Sequence, residues 1–157
     1  MDFNKSDFLE FLIEAKRATY AAQGDDASVA PLIDGSKQLE FRNGDYLYRD
    51  VYFGMSFFVG QETIYYKSRP IWSMSYAGGV NQKFDFDYVG EIYAFLRKAM
   101  GAITPHNPYR GPQKFIDGNF IYTDSNKGEI GWFQGNEKIG RFEEEVYSLI
   151  YSGGFLR

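Results

Sequence analysis

The 157-residue chain contains no cysteine, so neither a disulfide framework nor thiolate chemistry is open to it. Its N-terminus, MDFNKSDFLEF, is acidic and helical in pattern rather than like a signal peptide, and with the missing cysteines it leads us to expect a cytoplasmic protein. There is one histidine, His106, set among Pro and Asn in a loop, where it reads as an ordinary loop residue rather than a general base. With so few soft donors no metal site of the usual zinc kind is expected. The chain also lacks a phosphate loop, a GxGxxG before a helix and a GxSxG elbow, so no cofactor is expected. A net charge of −4 and a pI of about 5.0 leave no basic footprint, and direct nucleic-acid binding is not expected. Lys16 with Arg17, and Lys67 with Arg69, are scattered pairs that read as solvated faces. No apolar run approaches bilayer length, so no membrane partner is expected either.

What is abundant is aromatic: fifteen Phe, thirteen Tyr and two Trp, 19% of the chain. Such residues suit pleated, half-buried surfaces, which points to sheet; a groove lined with rings is the sharper reading of the same excess. The aromatics are also arranged twice. Gly60–Gly79 (GQETIYYKSRPIWSMSYAGG) aligns without a gap on Gly135–Gly154 (GNEKIGRFEEEVYSLIYSGG), with identities at Gly60/Gly135, Glu62/Glu137, Ile64/Ile139, Ser73/Ser148, Tyr76/Tyr151, Gly78/Gly153 and Gly79/Gly154. Upstream, FRNGDYLYRD at 41–50 is matched by FIDGNFIYTD at 115–124, which places Asp50 with Asp124. An internal duplication accounts for both matches.

Each copy begins with a helical pattern. Ser6 or Asp7 can cap a helix carrying Phe8, Phe11, Leu12 and Ala15 and running to about Ala21, with Gly24 as its stop. Asp85 or Asp87 can cap a second, with Val89, Ile92, Phe95, Leu96 and Ala99 as its stripe. Strand patterns follow each. In the first copy Trp72, Met74 and Tyr76 share a core face and Ser73 and Ser75 a wetter one; Tyr147, Leu149 and Tyr151 repeat the arrangement. Gly78-Gly79 and Gly153-Gly154 read as strand-end turns needing positive φ. The expected fold is α+β: a helix plus a three-strand antiparallel meander, twice, in one domain spanning 1–157 (halves of about 6–80 and 85–157) related by a pseudo-twofold axis. One continuous sheet and two facing sheets both satisfy the pattern. Neither half would bury much core alone.

Carboxylates are the remaining chemistry. Glu62 and Glu137, and Asp50 and Asp124, hold equivalent places, so a twofold arrangement could set paired acids across a cleft, to exchange protons or to hold a cation beside aromatic rings. Turn-capping or surface ion pairs would account for the same acids. A ligand site between the halves would take Trp72, Tyr76, Tyr147 and Tyr151 as walls and Glu62 and Glu137 as anchors. The same rings also serve as core.

The succession Gly44-Asp45, Tyr48-Arg49-Asp50, Tyr52-Phe53-Gly54, Gly60-Gln61-Glu62 and Pro70–Tyr76, then Arg110-Gly111-Pro112, Phe133–Ile139 and Val146-Tyr147 through Gly154, resembles an uncharacterised bacterial domain family. Members occur alone or behind an XRE-type helix-turn-helix domain. The resemblance implies a sensory or effector-binding role and brings no catalytic residues to carry over. Here the first helix belongs to the repeat, so no DNA-reading module is expected. The expected function is a non-catalytic ligand- or effector-binding module, with a small molecule and a second copy of the chain as partners. A protein-interaction module, or a hydrolase using Glu62, Glu137 or Asp50, are the alternatives.

Overall fold

The computed structural model describes residues 3–23, 29–84 and 86–157. Helix α1 (Lys5–Ala18) begins at Asn4, whose side chain accepts from the Ser6 amide at 2.8 Å, so the cap lies two residues before the earlier of the expected ones. A single turn, α2 (Tyr20–Gln23), follows. The expected stop Gly24 and cap Asp85 lie outside the described residues. Strands β1 (Lys37–Asn43), β2 (Tyr46–Gly54), β3 (Phe57–Tyr66) and β4 (Arg69–Val80) precede helix α3 (Phe86–Gly101). Strands β5 (Lys114–Asp117), β6 (Phe120–Glu129), β7 (Trp132–Arg141) and β8 (Glu144–Phe155) complete the chain. All eight form one antiparallel sheet in the order β1-β2-β3-β4-β8-β7-β6-β5. Each half contributes four strands rather than three, because the two-residue turns Gly44-Asp45 and Gly118-Asn119 fold short outer strands onto β2 and β6.

Strands β4 and β8 join the halves, with Tyr76 directly opposite Tyr151. The two halves turn alike: φ is 57° at Gly44 and 58° at Gly118, 94° at Gly54 and 93° at Gly128, and 48° then 65° at both Lys67-Ser68 and Phe142-Glu143. They also pack alike. Phe11 of α1 lies 5.9 Å from Phe41 and 5.0 Å from Tyr46, while Phe95 of α3 lies 5.7 Å from Phe115 and 5.1 Å from Phe120. Both long helices cover the same face of the sheet, α1 over β1 and β2 and α3 over β5 and β6. Every apolar helix position named from the sequence is buried, as are Trp72, Met74, Tyr76, Tyr147, Leu149 and Tyr151. The other face of the sheet has no layer upon it among the described residues, and Ser75, Ser148 and Ile150 are exposed there.

The glycine pairs are not turns. Gly78-Gly79 and Gly153-Gly154 lie inside β4 and β8 without positive φ. What they supply is closeness: a Cβ on Gly78 would stand 2.3 Å from the Ser148 carbonyl oxygen, and one on Gly153 2.3 Å from that of Ser73.

Candidate functional site: a charged core that opens on one side

Alternation along β2 and β3 turns Tyr48, Asp50 and Tyr52, and then Glu62 and Ile64, toward the helices. Register then places Asp50 opposite Glu62, and Asp124 opposite Glu137. Two carboxylates facing each other across a ladder repel, so each pair needs cations or hydrogen-bond donors to persist. All four acids are buried, as are Lys16 and Arg110.

Arg110 is the link between the halves. Its Nη2 and Nε donate to Glu137 Oε1 at 2.8 and 3.1 Å, and its Nη1 stands 3.6 Å from Glu62 Oε1. Glu137 also accepts from the Tyr122 hydroxyl (2.7 Å) and the Tyr147 hydroxyl (2.8 Å), which leaves it fully occupied. Glu62 accepts from Lys16 Nζ. Burial lowers the Lys16 ammonium from its usual value in spite of that partner. Burial also works against charge on Arg110, but Glu137 and its neighbours outweigh it and hold the guanidinium well above its ordinary range. Tyr48 and Tyr122 occupy equivalent places beside Glu62 and Glu137; burial and the adjacent carboxylate raise both phenols well above the usual value.

The aspartates are held by tyrosines. The Tyr76 hydroxyl donates to Asp50 Oδ1 at 2.6 Å, and the Tyr151 hydroxyl to Asp124 Oδ1 at 2.8 Å. Each ring crosses a glycine to get there: a Cβ on Gly60 would stand 2.3 Å from the Tyr76 oxygen, and one on Gly135 2.4 Å from that of Tyr151. Burial, and then the charge of Glu62, push Asp50 up to about 7. Burial pushes Asp124 up to about 6, against the opposing hydrogen bonds from Tyr151 and Asn107.

Beyond this shared frame the halves part. Over Asp124 lies the connection from α3 to β5, plugging the space. Asn107 Nδ2 donates to Asp124 Oδ2 and to the Gly111 carbonyl, both at 2.7 Å, while its Oδ1 accepts from Asn126 at 2.6 Å. Tyr109 packs 4.3 Å from Phe133 and 6.1 Å from Tyr151. Over Asp50 there is instead a cavity of about 850 Å³, between the α1–α2 end and α3. Asp50, Glu62, Lys16 and Arg110 line it, and Tyr20, Tyr48, Tyr52, Phe58, Tyr76 and Tyr93 supply its rings. Asp50 Oδ2 receives no donor there among the described residues. The described part of the segment before β1 runs elsewhere, with the Val29 amide bonded to the Gln38 carbonyl (2.8 Å) and the Leu32 amide to Gln38 Oε1 (3.0 Å).

Of the residues named from the sequence, Glu62 and Tyr76 line this cavity. Glu137, Tyr147 and Tyr151 sit in the second half of the charged core. Trp72 packs away from it, 5.7 Å from Phe133, with its Nε1 donating to the Ile130 carbonyl. The two glutamates do come together, through Arg110 rather than across an open cleft. Lys16 is corrected: it is buried in the ion pair, not on a solvated face. A signal for this was present, since Phe8, Leu12 and Lys16 follow one another at helical spacing on the apolar stripe. Arg110 and Asn107, on an irregular loop, carry no comparable pattern. His106 is exposed on that loop. Among the described residues no group of three His, Cys, Asp or Glu could hold a metal ion. Among them, too, no helix is long and apolar enough to cross a membrane.

A family model described as a domain of unknown function, DUF5680, matches residues 50–156, a stretch that holds the aspartates, both glutamates, Asn107 and Arg110 but not Lys16. No curated protein matches the chain and no solved structure does. The chain therefore belongs to the DUF5680 family.

Proposed function

We propose that the chain is a non-catalytic module that binds a small-molecule ligand or effector in the cavity over Asp50. The observation that carries this reading is a buried carboxylate, one oxygen of which has no donor among the described residues, in the lining of a ring-lined space of about 850 Å³, within the size range of ligand sites. Gly90 supports it. It lies exposed inside α3 and lines the cavity, where a Cβ would meet nothing within 4 Å. A helical glycine costs stability of about 1 kcal/mol against alanine, and no packing demand at Gly90 offsets that. The absence of a side chain there leaves the cavity lining clear at that point. The resemblance to domains that accompany helix-turn-helix regulators supports an effector as the ligand. The same reading takes the halves as related by a pseudo-twofold axis between Tyr76 and Tyr151, supported by their pairing and by the matched turn dihedrals.

A thermal-shift screen of cationic and aromatic metabolites tests the reading, with Gly90→Trp as the control. We expect hits that stabilise the wild-type protein and lose their effect when the new ring fills the mouth. Hits that stabilise both proteins equally place binding elsewhere and end the proposal.

A second reading, a hydrolase, is favoured by one observation: Asp50, raised to about 7, is poised for proton transfer within the cavity beside Glu62. Its test is turnover of a stabilising compound on prolonged incubation, abolished by Asp50→Asn. Hits recovered unchanged rule it out.

A further inference from the structure

We infer that the ligand presents an N–H donor, a carboxamide or a primary ammonium, to Asp50 Oδ2, and that Asn107 occupies the corresponding position in the other half as a built-in stand-in. The inference rests on the cavity over Asp50 being the ligand site. The two aspartates share the surroundings of their first oxygen and differ at the second, where Asp124 also has Asn126 Nδ2 at 3.4 Å. Each faces a glutamate across the ladder, and each takes a tyrosine hydroxyl on Oδ1 from a ring lying over a glycine. At Asp124 the second oxygen takes the Asn107 amide nitrogen at 2.7 Å. At Asp50 the second oxygen meets no donor among the described residues and faces the cavity instead. An ionised carboxylate that lines a cavity favours a donor and disfavours a second acceptor.

The neighbours differ in a way that specifies the rest of the ligand. Asn126, which stands opposite Gly135 and donates to the Asn107 oxygen, has Tyr52 as its counterpart opposite Gly60. The polar partner of the amide oxygen is thus replaced by a ring. Tyr48, Tyr76 and Phe58 add further rings, so the body attached to the donor is aromatic or apolar.

Benzamide, benzylamine and benzoate are suitable probes, since they share one ring and differ in the group offered to Asp50. In titrations followed by NMR chemical shifts at millimolar concentration and about pH 8.5, where Asp50 has lost the proton it would otherwise donate, benzamide and benzylamine should bind, and benzoate should bind about tenfold or more weakly. Asp50→Asn keeps an acceptor for Tyr76 and turns the free oxygen into a donor, so the order should reverse in favour of benzoate. Benzoate binding as well as benzamide, in a manner still blocked by Gly90→Trp, would keep the cavity as the site and overturn the donor class. Binding by none of the three overturns the inference as well. The second half gives an independent readout. Asn107→Ala vacates the amide position at Asp124, and acetamide should raise that variant's melting temperature while acetate does not. Equal effects of the two overturn the stand-in argument whether or not Asp50→Asn folds.

Discussion

The two halves of the sheet build the same acidic frame and finish it differently. Around Asp124, Asn107, Tyr109 and Arg110 arrive from one loop and satisfy every group in turn. Around Asp50, α1 supplies Lys16 to Glu62, and the space over the aspartate stays open. Met100, as far beyond Phe95 as Lys16 is beyond Phe11, meets Arg110 Nη2 at 3.8 Å, so the loop arginine takes over the role that the helix lysine plays in the first half. The lesson is that the two halves share the frame and that the difference between their connections leaves the cavity over Asp50. A buried acid pair alone does not indicate a site, since the plugged pair is structural. The missing plug is what makes the other a candidate.

Removing the link between the halves should have the largest effect. Arg110→Ala leaves Glu137 without its cation and Glu62 with Lys16 alone, and we expect a loss of about 3–5 kcal/mol by chemical denaturation. A loss under about 1 kcal/mol would mean that water or relaxation replaces the arginine and that the halves are not joined by charge.

Next in size is Asn107→Asp, which sets an acceptor against Asp124 Oδ2 where a donor stood. A loss of about 3 kcal/mol is expected. The matched experiment on the open side, Asp50→Asn, should cost less than this, because the altered atom faces the cavity. If Asp50→Asn costs more, the open half is structural too.

The glycines under the two rings give a finer comparison. Gly135→Ala collides with Tyr151, which is enclosed by Tyr109 and Phe133, and should cost about 1–3 kcal/mol. Gly60→Ala collides with Tyr76, whose ring borders the cavity and can give way, so its cost should be smaller. Equal costs would indicate that Tyr76 is as tightly held as Tyr151.

The remaining comparison is in pH dependence. Asp50 stands at about 7 in the fold against 3.8 when unperturbed, so the folded state binds its proton more tightly than the unfolded chain. The resulting stability is complete below about pH 4 and is lost as pH rises through about 7. Asp124, at about 6, adds a loss of the same sign that ends earlier. Asp50→Asn should flatten the melting-temperature profile between about pH 5 and 7, and an unchanged slope would remove Asp50 as its source.

Much of this fold was legible because it obeys periodic rules. Alternation marked Trp72, Met74 and Tyr76 as one face, helical spacing marked Phe8, Phe11 and Leu12, and the repeat tied Glu62 to Glu137 and Asp50 to Asp124. The outer strands β1 and β5 were merged into their neighbours, since a strand on either side of a tight Gly-Asp or Gly-Asn turn reads as a single aromatic run. The double glycines were misread because their requirement is contact between strands that are distant in sequence. The site was legible only in its acids. Which acid faces a cavity depends on where two connections run, and nothing in the spacing of Asn107 or Arg110 records that the loop folds back onto Asp124.

The most direct test is to locate a bound fragment. With the amide spectrum assigned, titration with benzamide should move resonances around Tyr48–Tyr52, Glu62 and Tyr76 while those around Asn107, Asp124 and Tyr151 stay in place. Shifts centred on the second half, or the same shifts in Gly90→Trp as in the wild-type protein, would contradict the claim that the open half is the binding site.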